Sequence, residues 1–291
     1  MRRGNPLREA ARMVYGEEKA SLAIRSMDII GDIAVIKVPD ELMDRRFEFA
    51  EKVVELTPSV ETVFRQKGPV SGSYRLRELE FLAGRYKTLT LHREYGCSFY
   101  VDVARTYYTP RLSTERWRIT NMVGRGEVVL NMFAGVGPYS IMIAKHREVE
   151  KVYSIDINYD AVKLHRRNIR LNKVEGRVEA LIGDAWDVIF SRFCDCCARV
   201  LMPLPERALE YLDAALAAIS VRGWIHVYLH VPYKGSEEEA LSTAAAAVKG
   251  RLGELGAEVL SVRARRVREV GTRLLQVCVD AEVSRRKAAK V

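Results

Sequence analysis

The apolar run Val128-Val129-Leu130 leads directly into Asn131-Met132-Phe133-Ala134-Gly135-Val136-Gly137-Pro138. A buried strand that ends in a tight Gly-x-Gly turn lets the backbone turn sharply and lets a ligand come close. A second apolar strand, Val152 to Ile155, ends in Asp156. That acid follows the glycines by about 20 residues, the place from which a carboxylate in such a fold accepts ribose hydroxyls. A third strand end falls at Gly183-Asp184-Ala185. The dinucleotide pattern asks for a third glycine near a pyrophosphate, but Gly137 is followed by Pro138, Tyr139 and Ser140. The loop therefore points to an adenosine ligand without a pyrophosphate, with S-adenosylmethionine as the leading candidate. A lone Gly-x-Gly more often marks only a turn; the ordered strand ends carry the reading.

From residue 127 onward, strand and helix patterns alternate: 127–132, 138–147, 152–157, 159–172, 178–183, 206–220, 224–230, 236–252 and 257–263. Alternation of this kind predicts α/β architecture, a mainly parallel sheet with helices on both faces and ligands at the carboxyl ends of the strands. Asn131, Asp156, Asp184 and the Met202-Pro203-Leu204-Pro205 turn all fall at such ends. The preceding chain differs. Residues 1–26 read as a charged helical lead-in. Ile29 to Val38 reads as one strand, and Glu41 to Leu56 carries helical spacing. Strand patterns follow from Thr62 to Tyr108, giving a small α+β domain over 27–104 before a Rossmann-like domain over 105–291.

The 291 residues include 48% hydrophobic ones, enough for a sizeable core. No run of about 18 apolar residues occurs, and no apolar signal core follows Met1, so a cytoplasmic protein without a membrane partner is expected. The net charge of +9 favours polyanionic partners. Arg65 to Arg93 holds seven Lys or Arg against two Glu, and Ser261 to Arg273 holds five Arg against one Glu. Each cluster reads as a phosphate-binding stripe or as a solvated charged face. Cys194 and Cys197 have C-x-x-C spacing, but no second pair or histidine pair completes a zinc site, so no metal is expected. Only two Gln and 29% charged residues make a mix common in thermophile proteins.

The segments Glu94-Tyr95-Gly96-Cys97-Ser98-Phe99-Tyr100-Val101-Asp102, Tyr107-Tyr108-Thr109-Pro110-Arg111-Leu112-Ser113-Thr114-Glu115-Arg116 and Asn131 to Pro138 occur in this order. Together they resemble the archaeal and eukaryotic tRNA guanosine-37 N1-methyltransferase family, over roughly residues 27–285. The resemblance implies a class I S-adenosylmethionine-dependent methyltransferase domain preceded by a small domain, acting on the tRNA anticodon loop; a monomer is expected. Many members carry a further N-terminal domain, for which this chain looks too short. By the same resemblance, Tyr107, Asn131, Phe133, Gly135, Gly137, Asp156 and Asp184 would bind the cofactor. Glu115 matches the proposed general base and Arg75 the arginine proposed to stabilise charge on the base. Arg111, Pro203 and Pro205 would line the base pocket.

Methylating N1 of guanine requires removing its proton, which pushes negative charge toward O6. A carboxylate near N1 can take the proton, and a guanidinium at O6 can stabilise the charge. The plainer readings are that Glu115 pairs with Arg111 or Arg118 on a helix surface and that Arg75 contacts a phosphate. One departure matters. The family usually has Asn where this chain has Pro203, and Ala198 replaces an Asp that often precedes that strand. Proline there resembles an archaeal subgroup linked to C7 methylation of 4-demethylwyosine at the same tRNA position, in the wyosine pathway. Guanosine N1 and this C7 therefore both stand as targets. An rRNA or small-molecule methyltransferase, or a catalytically dead RNA-binding module, remains as an alternative.

Overall fold

The structure, a computed structural model, describes residues 5–24, 26–70 and 72–285. The chain forms two compact units, residues 1–113 and 114–291.

In the first unit, α1 (Pro6–Tyr15) begins at Asn5, whose side chain accepts the backbone N–H groups of Leu7 and Arg8, and Pro6 opens its first turn. The short α2 (Glu17–Ala20) follows. β1 (Asp28–Ile30) and β2 (Ile33–Ile36) come next, then α3 (Arg46–Leu56), β3 (Thr62–Gln66) and β4 (Leu79–Gly84). The sheet order is β1-β2-β3-β4, with only the β2–β3 pair parallel. Leu7, Ala10 and Ala11 of α1 join Phe49, Ala50 and Val53 of α3 against Ala34, Ile36, Val63 and Leu82 of the sheet. The lead-in helix is thus part of this core. β5 (Leu89–Glu94) and β6 (Cys97–Asp102) form a separate hairpin.

The single strand expected over 29–38 is instead a hairpin turning at Gly31-Asp32. Gly31 has φ +59°, and a Cβ there would lie 2.0 Å from Thr90 Oγ1. Hydrophobic content gave the strand character, while the left-handed glycine breaks it. Asp32 then accepts Thr90 Oγ1 at 2.8 Å and Lys87 Nζ at 2.7 Å, tying the turn to the β5 region. The helix expected from Glu41 begins as a regular α-helix only at Arg46.

The second unit runs α4 (Ser113–Met122), β7 (Val128–Asn131), α5 (Pro138–His146), β8 (Lys151–Asp156), α6 (Tyr159–Leu171) and β9 (Val178–Ile182). It continues with α7 (Ala185–Arg192), β10 (Cys197–Met202), α8 (Leu212–Ala218), β11 (Ile219–Pro232) and α9 (Glu237–Glu254). β12 (Ala257–Gly271) and β13 (Leu274–Arg285) end it. The sheet order is β12-β13-β11-β10-β7-β8-β9. The strands from β11 to β9 pair in parallel, and β13 runs antiparallel to β11 and β12. Order reverses between β7 and β10, so the crevice for a ligand opens at the carboxyl ends of these strands. Ile225, Val227 and Leu229 of β11 face a core shared with α7, α8 and α9. The intervening His226 and Tyr228 face the other side, where Tyr228 meets Glu115 of α4 and Tyr139 of α5. Helices therefore cover both faces, as expected of a Rossmann-like sheet. Helix α7 and strands β10 and β13 lie outside the segments of the alternation read from sequence.

Candidate active site

The strand ends of the second unit converge. Gly135 and Gly137 both have positive φ, +55° and +90°. At Gly137 a Cβ would lie 2.2 Å from the His165 ring, so both conformation and space demand glycine. The loop is closed by Asp156, whose Oδ2 accepts the Gly135 N–H at 2.6 Å and whose Oδ1 accepts the Asn158 N–H at 2.9 Å. Burial pushes the Asp156 carboxyl above its usual pKa, against the pull of these two amides. Each oxygen of the half-buried carboxylate keeps acceptor capacity for a hydroxyl. Ile157, the next residue, is exposed, as is Ile182, the β9 residue paired with Asp156. Asp184 caps α7 through Trp186 N–H at 2.8 Å and accepts Tyr211 Oη at 2.7 Å. Tyr211 in turn meets the Phe133 ring edge-on at 5.2 Å. Phe133, Gly135, Asp156 and Asp184 thus form one polar and aromatic rim at the strand ends, and glycine backbone with a ribose-type acid fits an adenosine ligand. Ile157, Ile182 and Tyr211 add apolar and aromatic surface that the sequence reading did not include; the position after Asp156 was the available signal.

Asn131 lies deeper. It is wholly buried and its Nδ2 donates to Ser140 Oγ at 3.1 Å, fastening the end of β7 to α5. Pro203 is half-buried and Pro205 buried, and both shape the turn after β10. In the first unit the Arg75 guanidinium sits over the Tyr107 ring, 5.0 Å from its centroid. Arg75 itself has φ +54°, a conformation rare for a side-chain-bearing residue. Arg111 donates Nε to Asp28 at 2.5 Å, and Arg77 shares the same carboxylate at 2.9 Å.

Glu115 is 9% exposed and fully engaged within its own unit. Arg118, one turn on, donates Nε to Oε2 and Nη2 to Oε1, both at 2.8 Å. Tyr228 Oη donates to Oε1 at 2.7 Å, and Tyr139 Oη lies 3.0 Å from Tyr228 Oη. The partner Arg118 is the one the plainer reading named, but the Glu115 end of the pair is buried and not on a helix surface. Arg118 reaches on to Asp280, and from there a buried chain runs through His226 and Arg199 to Glu127. Cross-strand register builds it: His226 pairs with Asp280 and Tyr228 with Cys278. His226, Cys278 and Asp280 group their ligand atoms within 4.8 Å. The Arg118 and Arg199 guanidinium groups donate into that group, and their positive charge opposes a cation there.

The two basic segments differ in how their charge is paired. Within 65–93, Arg65 pairs with Glu80, Lys67 with Glu78, Arg77 with Asp28, and Lys87 with Asp32 and Glu61. Internal pairing therefore absorbs much of that charge. On the β12–β13 hairpin, Arg266 pairs with Glu237 and Arg268 with Gln276, while Arg263 and Arg273 have no carboxylate partner among the described residues.

Comparison with known proteins now decides the family. A model described as the TRM5/TYW2 methyltransferase domain matches residues 90–253. The chain belongs to the TRM5/TYW2 methyltransferase family. A second model, described as the TYW2 N-terminal domain, matches residues 7–88. The chain is 36% identical over 283 residues to tRNA (guanine(37)-N(1))-methyltransferase Trm5b of Pyrococcus abyssi, covering 97% of this chain and 82% of that protein. It is 33% identical to tRNA 4-demethylwyosine(37)-methyltransferase Taw21 of Saccharolobus solfataricus, covering 74% and 81%. Among solved structures, aTrm5 in complex with tRNALeu superposes with a TM-score of 0.81 at 33% identity, covering 96% of this chain and 78% of that one. TRM5/TYW2 methyltransferases use S-adenosylmethionine, and the strand-end rim of this chain suits that cofactor.

Proposed function

We propose that this chain methylates position 37 of tRNA, at N1 of guanosine, with S-adenosylmethionine as methyl donor. The observation that carries the reading is similarity running through both units to a relative named for that reaction. In this reading Gly135, Gly137, Asp156 and Asp184 hold the cofactor, with Phe133 beside them. When bound, S-adenosylmethionine supplies a methyl group on a sulfonium, whose sulfur keeps the electron pair as the methyl leaves. Glu115 takes the N1 proton, freeing the ring lone pair for attack on the methyl carbon. Arg75 stabilises the charge that moves to O6, and its seat on Tyr107 fixes the guanidinium plane. Arg118 and Tyr228 hold Glu115 as an oriented carboxylate before substrate arrives. tRNA is held through arginines such as Arg263 and Arg273. The enzyme acts as a cytoplasmic monomer and uses no metal.

A second reading has specific support. Pro203 stands where the family resemblance leads one to expect Asn, the first unit matches the TYW2 N-terminal domain, and Taw21 is among the relatives. C7 methylation of 4-demethylwyosine also ends in loss of a ring proton, so Glu115 can serve both reactions. Nucleoside mass spectrometry separates them. The chain is incubated with S-adenosylmethionine and tRNA carrying either guanosine or 4-demethylwyosine at position 37. A 1-methylguanosine product is expected from the first substrate. Product from the second alone would transfer the assignment to C7, and product from neither would sink both readings.

A further inference from the structure

We propose that Asp280 is a positioning residue for proton removal by Glu115: it shares the Arg118 guanidinium, keeping the Glu115 carboxylate oriented yet able to accept a proton. The inference rests on the general-base reading of Glu115.

The geometry is a guanidinium between two carboxylates. Arg118 gives Nε and Nη2 to Glu115, each at 2.8 Å, and gives Nη1 and Nη2 to Asp280 at 2.7 and 3.1 Å. Nη2 is therefore divided between the two acids. A carboxylate gripped by an undivided bidentate arginine is a weak base, because the pair stabilises the anion over the acid. A second anion on the far side of the same guanidinium offsets that grip. Asp280 is suited to be this anion. It is 2% exposed, on β13, and burial alone would raise its carboxyl pKa. His226 and Arg118 more than reverse that effect and hold it below the usual carboxylate range.

The remainder of the chain fixes Asp280. Arg199 Nη1 lies 2.6 Å from His226 Nε2 and can only donate, so Nε2 accepts and the His226 proton sits on Nδ1. Nδ1–H then donates to Asp280 Oδ1 at 2.6 Å. Arg199 is itself held by Glu127, with Nε to Oε2 at 2.7 Å and Nη2 to Oε1 at 3.0 Å. Other groups of this unit facing Glu115 and Asp280 are Tyr228 from β11, Cys278 from β13, Tyr139 from α5, Arg116 from α4 and Arg265 from β12. Burial keeps Tyr228, Tyr139 and Cys278 neutral, their pKa values pushed well up. Arg265 Nε stands 3.8 Å from Asp280, at the edge of ion-pair range. Arg118 therefore carries the charge balance between the two acids.

The test reads the pH dependence of single-turnover methyl transfer to a tRNA transcript carrying guanosine 37. Asp280→Asn leaves Arg118 to Glu115 alone. Its acid limb should move about one pH unit lower, the low end of the shift for a nearby charge, and its plateau rate should fall several-fold. Asp280→Glu keeps the charge and should leave the limb at the wild-type pH, whatever its plateau. Arg118→Gln should move the limb upward. An unmoved limb in Asp280→Asn overturns the proposal, since a merely structural role predicts lower activity with an unchanged profile. Should Asp280→Asn fail to fold, an unmoved limb in Arg118→Gln overturns it instead. Glu115→Gln, run in parallel, separates the two levels. If its rate stays within a few-fold of wild type, the general-base reading has failed and not only the role of Asp280.

Discussion

Asp156 uses one lone pair of each oxygen on the backbone, at Gly135 and Asn158, and so fixes the loop it helps to form. The same carboxylate is the candidate ribose acceptor. Asp156→Ala should weaken S-adenosylmethionine binding by about 1.5–3 kcal/mol, the range for a hydrogen bond to a charged group. Isothermal titration measures it, and unchanged affinity would remove Asp156 from the site. Glu115 shows the limit of motif reading at this scale. Its place in the motif was legible, but three donors close on its two oxygens, from Arg118 and from Tyr228, more than a hundred positions away.

At the scale of elements, the β12–β13 hairpin and the β3–β6 region carry similar charge in sequence and differ in use. Strand pairing sets Arg65 near Glu80 and Lys67 near Glu78, so these cations are spent on the fold. β12 is a sheet edge, with alternate residues exposed, and Arg263 and Arg273 stay available. Phosphate contact by each should contribute about one unit to the slope of log affinity against log salt. Arg263→Ala with Arg273→Ala should therefore flatten that slope by about two, measured by filter binding of tRNA across salt. A slope equal to wild type would place the RNA elsewhere.

Over the whole molecule, buried histidines link folding to pH. His165 packs under the Gly137 turn with neither ring nitrogen hydrogen-bonded, and burial pushes its pKa down to about 3. The unfolded chain protonates the same residue near 6.5. The stability it protects is complete above pH 6.5 and is lost as pH falls toward 3, at up to about 1.4 kcal/mol per unit. His226, also lowered, adds in the same direction. Asp280, held below the usual carboxylate range, adds a loss at still lower pH, as the unfolded chain takes up protons that the native carboxylate resists. Denaturant melts between pH 7 and 4 should show falling stability, and His165→Leu should reduce the steepness. An equal slope in the variant would mean that His165 titrates normally in the fold.

Local features fixed much of this in advance. Glycine spacing, apolar runs and strand-end acids are decided by backbone geometry within a few residues, so the α/β sheet, the glycine turn after β7 and the family were legible in the chain. The split of residues 29–38 was less so, because the turn depends on Thr90 and Leu91 closing over Gly31. β13 had a period-two signal, Leu275, Val277, Val279, Ala281 and Val283, yet only tertiary packing, with Arg118 of α4 on Cys278 and Asp280, buries the opposite face as well. That burial turns Asp280 from a surface acid into the counter-charge of Arg118. Tertiary structure alone decides such pairs, since the partners lie up to 162 positions apart and their electrostatics depend on excluded water.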